Sequence, residues 1–444
     1  MEKFELLSLP DEALLAVLAH LPPRELFNCR VACTRLRDLC MHRRLWQAAT
    51  VWEKGVLRAA LNLAPCLGEI SPVFLGEVAY LVQGTTCVVN KLDLIVESES
   101  DAALATVIIL KLSAVGGAEN LSLQVRCSPS TPTLPTLLRT ILHLSGIQKL
   151  FFARCFYEDE PLPTLLCDSE LSSSLTKLTY CSRFAGPFLH QLLRTHAATL
   201  EVVQIYRARD FPVSSLATMP RLRALTCHLI SDLVQLADLP NLETFNAFLF
   251  RYQSETFEDF PPGAMQFLRK APHLRAVKFQ SLVKNIGPAL SALAESASAP
   301  QIESIAGVAG AAEHLKLWAP LLRNFTSLRS LSLDCVPPKV LLKAIDPSSL
   351  PSLTELTLEK ARAACVHSWV HDPAVQDVLS RNPGLHVRQF GIQDVQDCKC
   401  AWCYWGCHSL LKGHTAFSSH SKRTGCPIDC FQVASCSGPS ALAS

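Results

Sequence analysis

An excess of basic residues is missing from this chain. Its 41 Lys and Arg against 39 Asp and Glu leave a formal net charge of +2 over 444 residues. That excludes the dense cationic surface on which a dedicated nucleic-acid binder depends. Aromatic residues are scarce, at 7%, while Leu and Ala are plentiful. That balance suits a helix-rich or leucine-rich repeat architecture. A long uninterrupted apolar run is also lacking. The longest, Ala102 to Ala118, is broken by Lys111 and is too short to span a bilayer. The amino end carries Glu2 and Glu5 and no apolar signal stretch. The chain is therefore expected in the cytosol or nucleus, with no membrane or nucleic-acid partner. Catalytic signatures are missing too: no Gly-x-Ser-x-Gly elbow, no Gly-x-x-x-x-Gly-Lys phosphate loop, no paired His with a Glu on a helix. Gly307-Val308-Ala309-Gly310 is too short for a nucleotide loop. The expectation is a protein that catalyses nothing itself.

Much is present. Hydrophobic residues make up 49% of the chain, and there are 19 cysteines. In a long chain without a secretory signal, cysteines are expected to stay reduced. The first residues read Leu9-Pro10-Asp11-Glu12, then an apolar stretch, then Leu21-Pro22-Pro23-Arg24-Glu25-Leu26. Val31-Ala32-Cys33-Thr34-Arg35-Leu36-Arg37-Asp38-Leu39 follows, and Leu45-Trp46 closes the segment. Pro10 fixes the entry to a helix whose first turn carries two acids. Leu14, Val17, Leu18 and Leu21 recur at helical spacing and predict one apolar stripe. Pro22-Pro23 ends that helix, and Pro23 opens the next. Leu26, Cys29 and Arg30 share a face of the second helix; Leu36, Leu39 and Cys40 share a face of the third. Three helices this short bury little surface by themselves, so an apolar partner is their natural completion.

This segment resembles the F-box, the helical module that docks on the Skp-type adaptor of cullin–RING ubiquitin ligases. The resemblance implies an adaptor-binding role for Leu9, Pro10, Leu14, Leu18, Leu21, Leu26, Cys33 and Trp46. It departs from the family's common pattern at Ala32 and Leu36, which replace a valine and an aromatic but remain apolar. An ordinary helical cap on a larger fold is the alternative.

A Leu-x-x-Leu-x-Leu pattern runs through the body. It begins at Ile147, Leu175, Leu200, Leu222, Leu242, Leu274, Ile302, Leu328 and Leu353, with starts 20 to 32 residues apart when a degraded copy at Leu385 is included. In that last copy Arg388 falls in an apolar slot. Looser copies precede the series at Val89-Leu92-Leu94 and Leu121-Leu123. Between the strands lie helical patterns, such as Phe188-Leu189-Leu192-Leu193 and Val375-Val378-Leu379. Several end in a proline just before the next strand, as at Pro220, Pro240, Pro272, Pro351 and Pro383. Stacked strand–helix units bury a continuous core that one unit cannot. The predicted fold is α/β: a three-helix F-box (1–55), a linker with irregular first repeats (56–146), a leucine-rich-repeat solenoid curved as a horseshoe or arc (147–397), and a Cys/His-rich tail (398–444). An irregular helical array is the competing architecture.

Alternation along a strand places the residues between the leucines on the concave surface. That file includes Lys149, Phe151, Lys177, Thr179, Gln204, Tyr206, Thr226, His228, Asn246, Phe248, Lys278, Gln280, Ser332, Asp334, Glu355 and Glu359. Phe151, Lys177, Tyr206, His228, Phe248 and Lys278 are the candidate target-binding residues, with Phe151, Tyr206 and Phe248 expected as exposed aromatics. Lysines fall in the earlier repeats and acids in the last ones, which predicts a target of complementary charge. In the tail, Cys398, Cys400, Cys403, Cys407 and His408 lie within eleven residues. Their spacing can close a structural zinc site, although it is not a standard finger pattern. A partly ordered tail of free thiols is the main alternative, and a labile disulfide the lesser one. The resulting functional expectation is a substrate-recognition subunit of a Skp–cullin–F-box ligase. The alternative is a repeat scaffold that binds proteins without joining a ligase.

Overall fold

The computed structural model describes residues 6–71, 75–154, 162, 172–208, 210–249, 260–281, 286–307, 312–359, 369, 372–390, 416–420 and 430–432. They fall into two compact units, Met1–Arg221 and Leu222–Ser444.

The first unit opens with four short helices: α1 (Asp11–Leu18), α2 (Pro23–Arg30), α3 (Thr34–Leu39) and α4 (Arg43–Trp46). Each start has a local cause. Pro10 precedes α1 in an extended conformation, and Pro23 is the first residue of α2. The Cys33 thiol caps α3 by accepting the Leu36 N–H at 3.4 Å. The apolar stripe of α1 is rotated from the expected one. Leu14, Leu15 and Leu18 are buried, while Val17 remains 46% exposed. Trp46 is fully buried; its indole N–H donates to the Cys40 carbonyl at 2.7 Å, and its ring lies 5.1 Å from that of Phe27. The Leu-Trp end of the segment is thus a keystone for the helices rather than a free surface.

The helices run directly into a sheet. β1 (Thr50–Val51) pairs in parallel with β2 (Cys66–Ile70), and the Gly68 and Glu69 N–H groups both reach the Ala49 carbonyl, at 3.0 and 3.1 Å. Gly68 is required at this junction: a Cβ there would stand 2.7 Å from the Ala48 carbonyl carbon. Parallel pairing continues through β3 (Val88–Val96), β4 (Asn120–Val125), β5 (Lys149–Arg154), β6 (Lys177–Cys181) and β7 (Val202–Tyr206). The looser copies of the pattern are therefore full strands in register with the regular ones, and Leu92, Leu121, Leu150, Leu178 and Val203 form one buried column.

Helices pack behind the strands. Glu99–Ala114 carries most of the long apolar run and buries Ala102, Ala105, Ile108, Ile109 and Leu112. Its start is fixed by Ser98, whose hydroxyl accepts the Asp101 N–H at 3.2 Å. Among the described residues no helix is long and apolar enough to cross a membrane.

The second unit repeats the design. β8 (Ala224–His228), β9 (Thr244–Leu249), β10 (Ala276–Ser281), β11 (Ser304–Gly307), β12 (Ser330–Leu333), β13 (Glu355–Glu359) and β14 (His386–Phe390) pair in parallel, in chain order. β15 (Ala416–His420) adds to β14 antiparallel, and β16 (Cys430–Gln432) pairs with β15. Helices Pro262–Lys270 and Pro373–Arg381 stand where the helical patterns and their following prolines put them. Leu225, Phe245, Val277, Ile305, Leu331, Leu356 and Val387 form the inner column.

One expectation needs correction. The degraded copy at Leu385 is a strand, but its register is slipped by one residue. Val387, not Arg388, pairs with Leu356 and fills the core position, and Arg388 faces the other way. At Gly307 the repeat has an inward glycine where its neighbours β10 and β12 place Phe279 and Leu333. The vacated volume is taken by Trp318, which is fully buried. The fold is α/β, with N-terminal F-box-like helices followed by stacks of strand–helix repeats of leucine-rich type.

Candidate protein-docking surfaces

The eight sequence-predicted adaptor residues divide into two groups. Leu14, Leu18, Leu26 and Trp46 are buried within the first unit, so they shape the module. Leu9, Leu21 and Cys33 are half-buried and Pro10 is exposed. Beside these stand apolar side chains left in water: Leu6, Leu7, Val17 and, at 83% exposure, Val31. Exposed apolar residues concentrated on so small a segment are the mark of an interaction surface.

Sequence reasoning missed the residue that ties this surface together. Arg35, on α3, donates from Nε and Nη2 to Asp11 Oδ1 at 3.0 and 2.5 Å. It also donates from Nη1 to the Leu7 carbonyl and from Nη2 to the Leu9 carbonyl, at 2.5 and 2.7 Å. One guanidinium thus fixes the chain that enters α1. Its fork geometry makes Arg, and not Lys, fit this task. Nothing in the apolar pattern marks it, because its partners, the Asp11 carboxylate and two backbone carbonyls, lie far away in sequence. Cys40 is buried on the same helices, and burial raises its thiol pKa, with Cys29 and Cys33 nearby adding to the rise.

The second surface is the strand face turned away from the helices. In the first unit, register places Lys91, Asn120, Lys149 and Lys177 in one row, and Asp93, Ser122, Phe151, Thr179 and Gln204 in the next. Phe151 is 37% exposed and Tyr206 is half-buried. Thr179 donates its hydroxyl to Gln204 Oε1 at 2.8 Å, which links adjacent repeats.

In the second unit the same face departs from expectation. Phe248 and His228 are buried, at 6% and 3% exposure, and their rings lie 6.5 Å apart across β8 and β9. Phe248 is therefore packed against its neighbour and is not an exposed anchor. The Asn246 amide donates to the Thr226 hydroxyl at 3.1 Å. Farther along, a shallow depression of about 360 Å³ is lined by Asn246, Lys278, Ser304, Ser332, Glu355 and Thr357, among others. Its acid is already matched. Glu355 Oε1 accepts from Arg388 Nη1 and from the Thr357 hydroxyl, both at 3.1 Å.

Cys398, Cys400, Cys403, Cys407 and His408 lie outside the described residues. Among the described residues no group of His, Cys, Asp and Glu is arranged to hold a metal ion. Cys29, Cys33, Cys40, Cys66, Cys87, Cys127, Cys181, Cys227 and Cys335 are thiols, not disulfides. Burial pushes Cys87 up to about 12 and raises Cys227 further.

Comparison with known proteins agrees with the amino-terminal reading. A family model described as F-box-like matches residues 6–50. That span contains α1 to α4 and reaches the first residue of β1. The chain is also similar to an internalin from Listeria monocytogenes, at 14% identity and a TM-score of 0.28, over 84% of this chain and 97% of that one. No curated protein matches.

Proposed function

We propose that this protein is a substrate-recognition subunit of a Skp–cullin–F-box ubiquitin ligase. The observation that carries the proposal is an F-box-like segment whose interior is complete while Leu6, Leu7, Val17 and Val31 stay in water. In this reading those side chains, with Leu9, Pro10, Leu21 and Cys33, meet the adaptor, and the strand face holds a target protein. The chain contributes position rather than chemistry. Tethering raises the effective concentration of target lysines near the loaded conjugating enzyme. Such a complex works in the cytosol or nucleus.

A tagged full-length chain, expressed in cells, should recover the Skp-type adaptor and a cullin. Leu9→Ala with Pro10→Ala should reduce that recovery, as should Val31→Glu alone. Val31 is so exposed that its replacement leaves the fold intact, which separates lost docking from lost structure. A wild-type chain that recovers neither subunit would falsify the ligase reading and leave a repeat scaffold in its place.

A further inference from the structure

The strand face of the first unit handles its charges unevenly. Lys91 is paired with Glu69 at 2.6 Å, and Arg126 with Glu97 at 2.8 Å. Asp93 accepts the Ser122 hydroxyl at 2.6 Å and the Ser71 hydroxyl at 3.4 Å. Lys149 and Lys177 are treated otherwise. They are register partners on β5 and β6, so their Cα atoms stand about 5 Å apart. Among the described residues neither has an acidic partner. Like charges directly opposite each other on neighbouring strands are destabilising, and nothing within the described face relieves this pair. Two flexible ammonium groups rooted side by side can converge on a single anion.

An apolar group stands at a fixed distance from them. Phe151 follows Lys149 by two residues on the same face, about 7 Å away. Its register neighbours, Ser122 and Thr179, are short side chains, and its ring is 37% exposed. Among the described residues the second unit lacks this combination. There Phe248 is buried and Glu355 is matched by Arg388.

We propose that this face captures an extended segment of the target, with one anionic side chain held between Lys149 and Lys177. An apolar side chain two residues away rests on Phe151. The two-residue spacing is that of an extended peptide lying along β5, where alternate side chains point the same way. This assignment rests on the strand face being the target surface and adds the chemistry of what is recognised. The anion is a carboxylate or a phosphorylated hydroxyl, and the same contacts serve either.

The test uses the full-length chain and three fluorescein-labelled peptides. They share a Leu two residues after a variable position that holds Glu, phosphoserine or Gln. Fluorescence anisotropy should show the Glu or the phosphoserine peptide bound, and the Gln peptide roughly tenfold weaker, the scale of two exposed ion pairs. Which anionic peptide binds more tightly identifies the source of the charge. Raising ionic strength from about 0.05 M to about 0.2 M should erase most of the preference. Lys149→Glu with Lys177→Glu should abolish it, whereas Phe151→Ser should weaken all three peptides alike. Circular dichroism controls for folding, with the milder Lys149→Gln and Lys177→Gln pair as a second variant. Equal binding of all three peptides, no binding by any, or an unchanged preference in the double lysine variant overturns the inference. If adaptor and cullin are still recovered in that case, the ligase reading stands and only the anion assignment falls.

Discussion

Acid should weaken the first unit through one histidine. His196 follows the helix Gly186–Thr195 and is 4% exposed. Its Nδ1 accepts the backbone N–H of Ser174 at 3.2 Å and of Leu175 at 3.3 Å, just ahead of β6. An imidazolium cannot accept there, and burial lowers the His196 pKa to about 4. In the unfolded chain the group titrates near its ordinary value of about 6.5. Below that pH the unfolded chain takes up the proton first. The contribution is therefore fully present above about pH 6.5 and is lost progressively as pH falls towards 4. Taken to completion, the difference is worth about 3 kcal/mol. Urea unfolding should be followed at several pH values for the wild type and for His196→Gln, whose amide oxygen can accept but does not titrate. Other groups titrate in both proteins, so the difference between them isolates His196. The wild type should lose up to about 3 kcal/mol more than the variant between about pH 7 and about pH 4. Amide exchange at Leu175 should accelerate over the same window. Parallel stability curves for the two proteins would refute the argument.

Gly307→Ala should destabilise the second unit by about 1–3 kcal/mol, since the new Cβ would meet the Trp318 ring at 2.5 Å and Ile286 Cδ1 at 2.8 Å. Trp318→Leu in the same chain should return part of that loss, read by thermal unfolding. Phe248→Ser should cost about 3 kcal/mol as a core truncation, visible as a lower urea midpoint. A test of target capture therefore belongs with Phe151→Ser and Tyr206→Ser, which should leave the midpoint nearly unchanged. Arg35→Met releases the Leu7 and Leu9 carbonyls from their donor. It should lower stability by about 1–2 kcal/mol, speed amide exchange at the start of α1, and reduce adaptor recovery more than Arg37→Met does.

The repeats are legible in the sequence because their inner column is chemically monotonous. Leu178, Val203, Leu225, Phe245, Val277, Leu331 and Leu356 are apolar at constant offsets, and strand register follows from them. Legibility fails where an irregular backbone feature intervenes. In the β1–β2 junction, close approach to Ala48 demands Gly68 in a place where a larger residue would advertise a strand. At β14 the turn before the strand is displaced, so Leu385 is buried yet out of step with Val387. Phe248 illustrates a different limit. Alternation and register place its side chain on the open face beside His228, but cannot say that this pairing removes it from water. Arg35 is the clearest omission in the docking module. Its role is set by the Asp11 carboxylate together with two backbone carbonyls, and carbonyl positions leave no trace in residue identity. On the strand face, the lysines could be read from sequence, whereas Arg388 answering Glu355 could not.

The docking helices share a sheet with the repeats they precede. Thr50 and Val51 already belong to the ladder, and the Cys66 thiol reaches back to the Arg43 carbonyl at 3.6 Å. No slack tether separates the helices proposed to meet the ligase from the strands that follow them. Cargo seated on the first unit would be presented at a set reach and orientation, so which of its lysines receives ubiquitin becomes a matter of where along those strands it sits. Lengthening the Ala48–Ala49 step with a few glycines should then broaden the choice of modified lysines without changing what is captured.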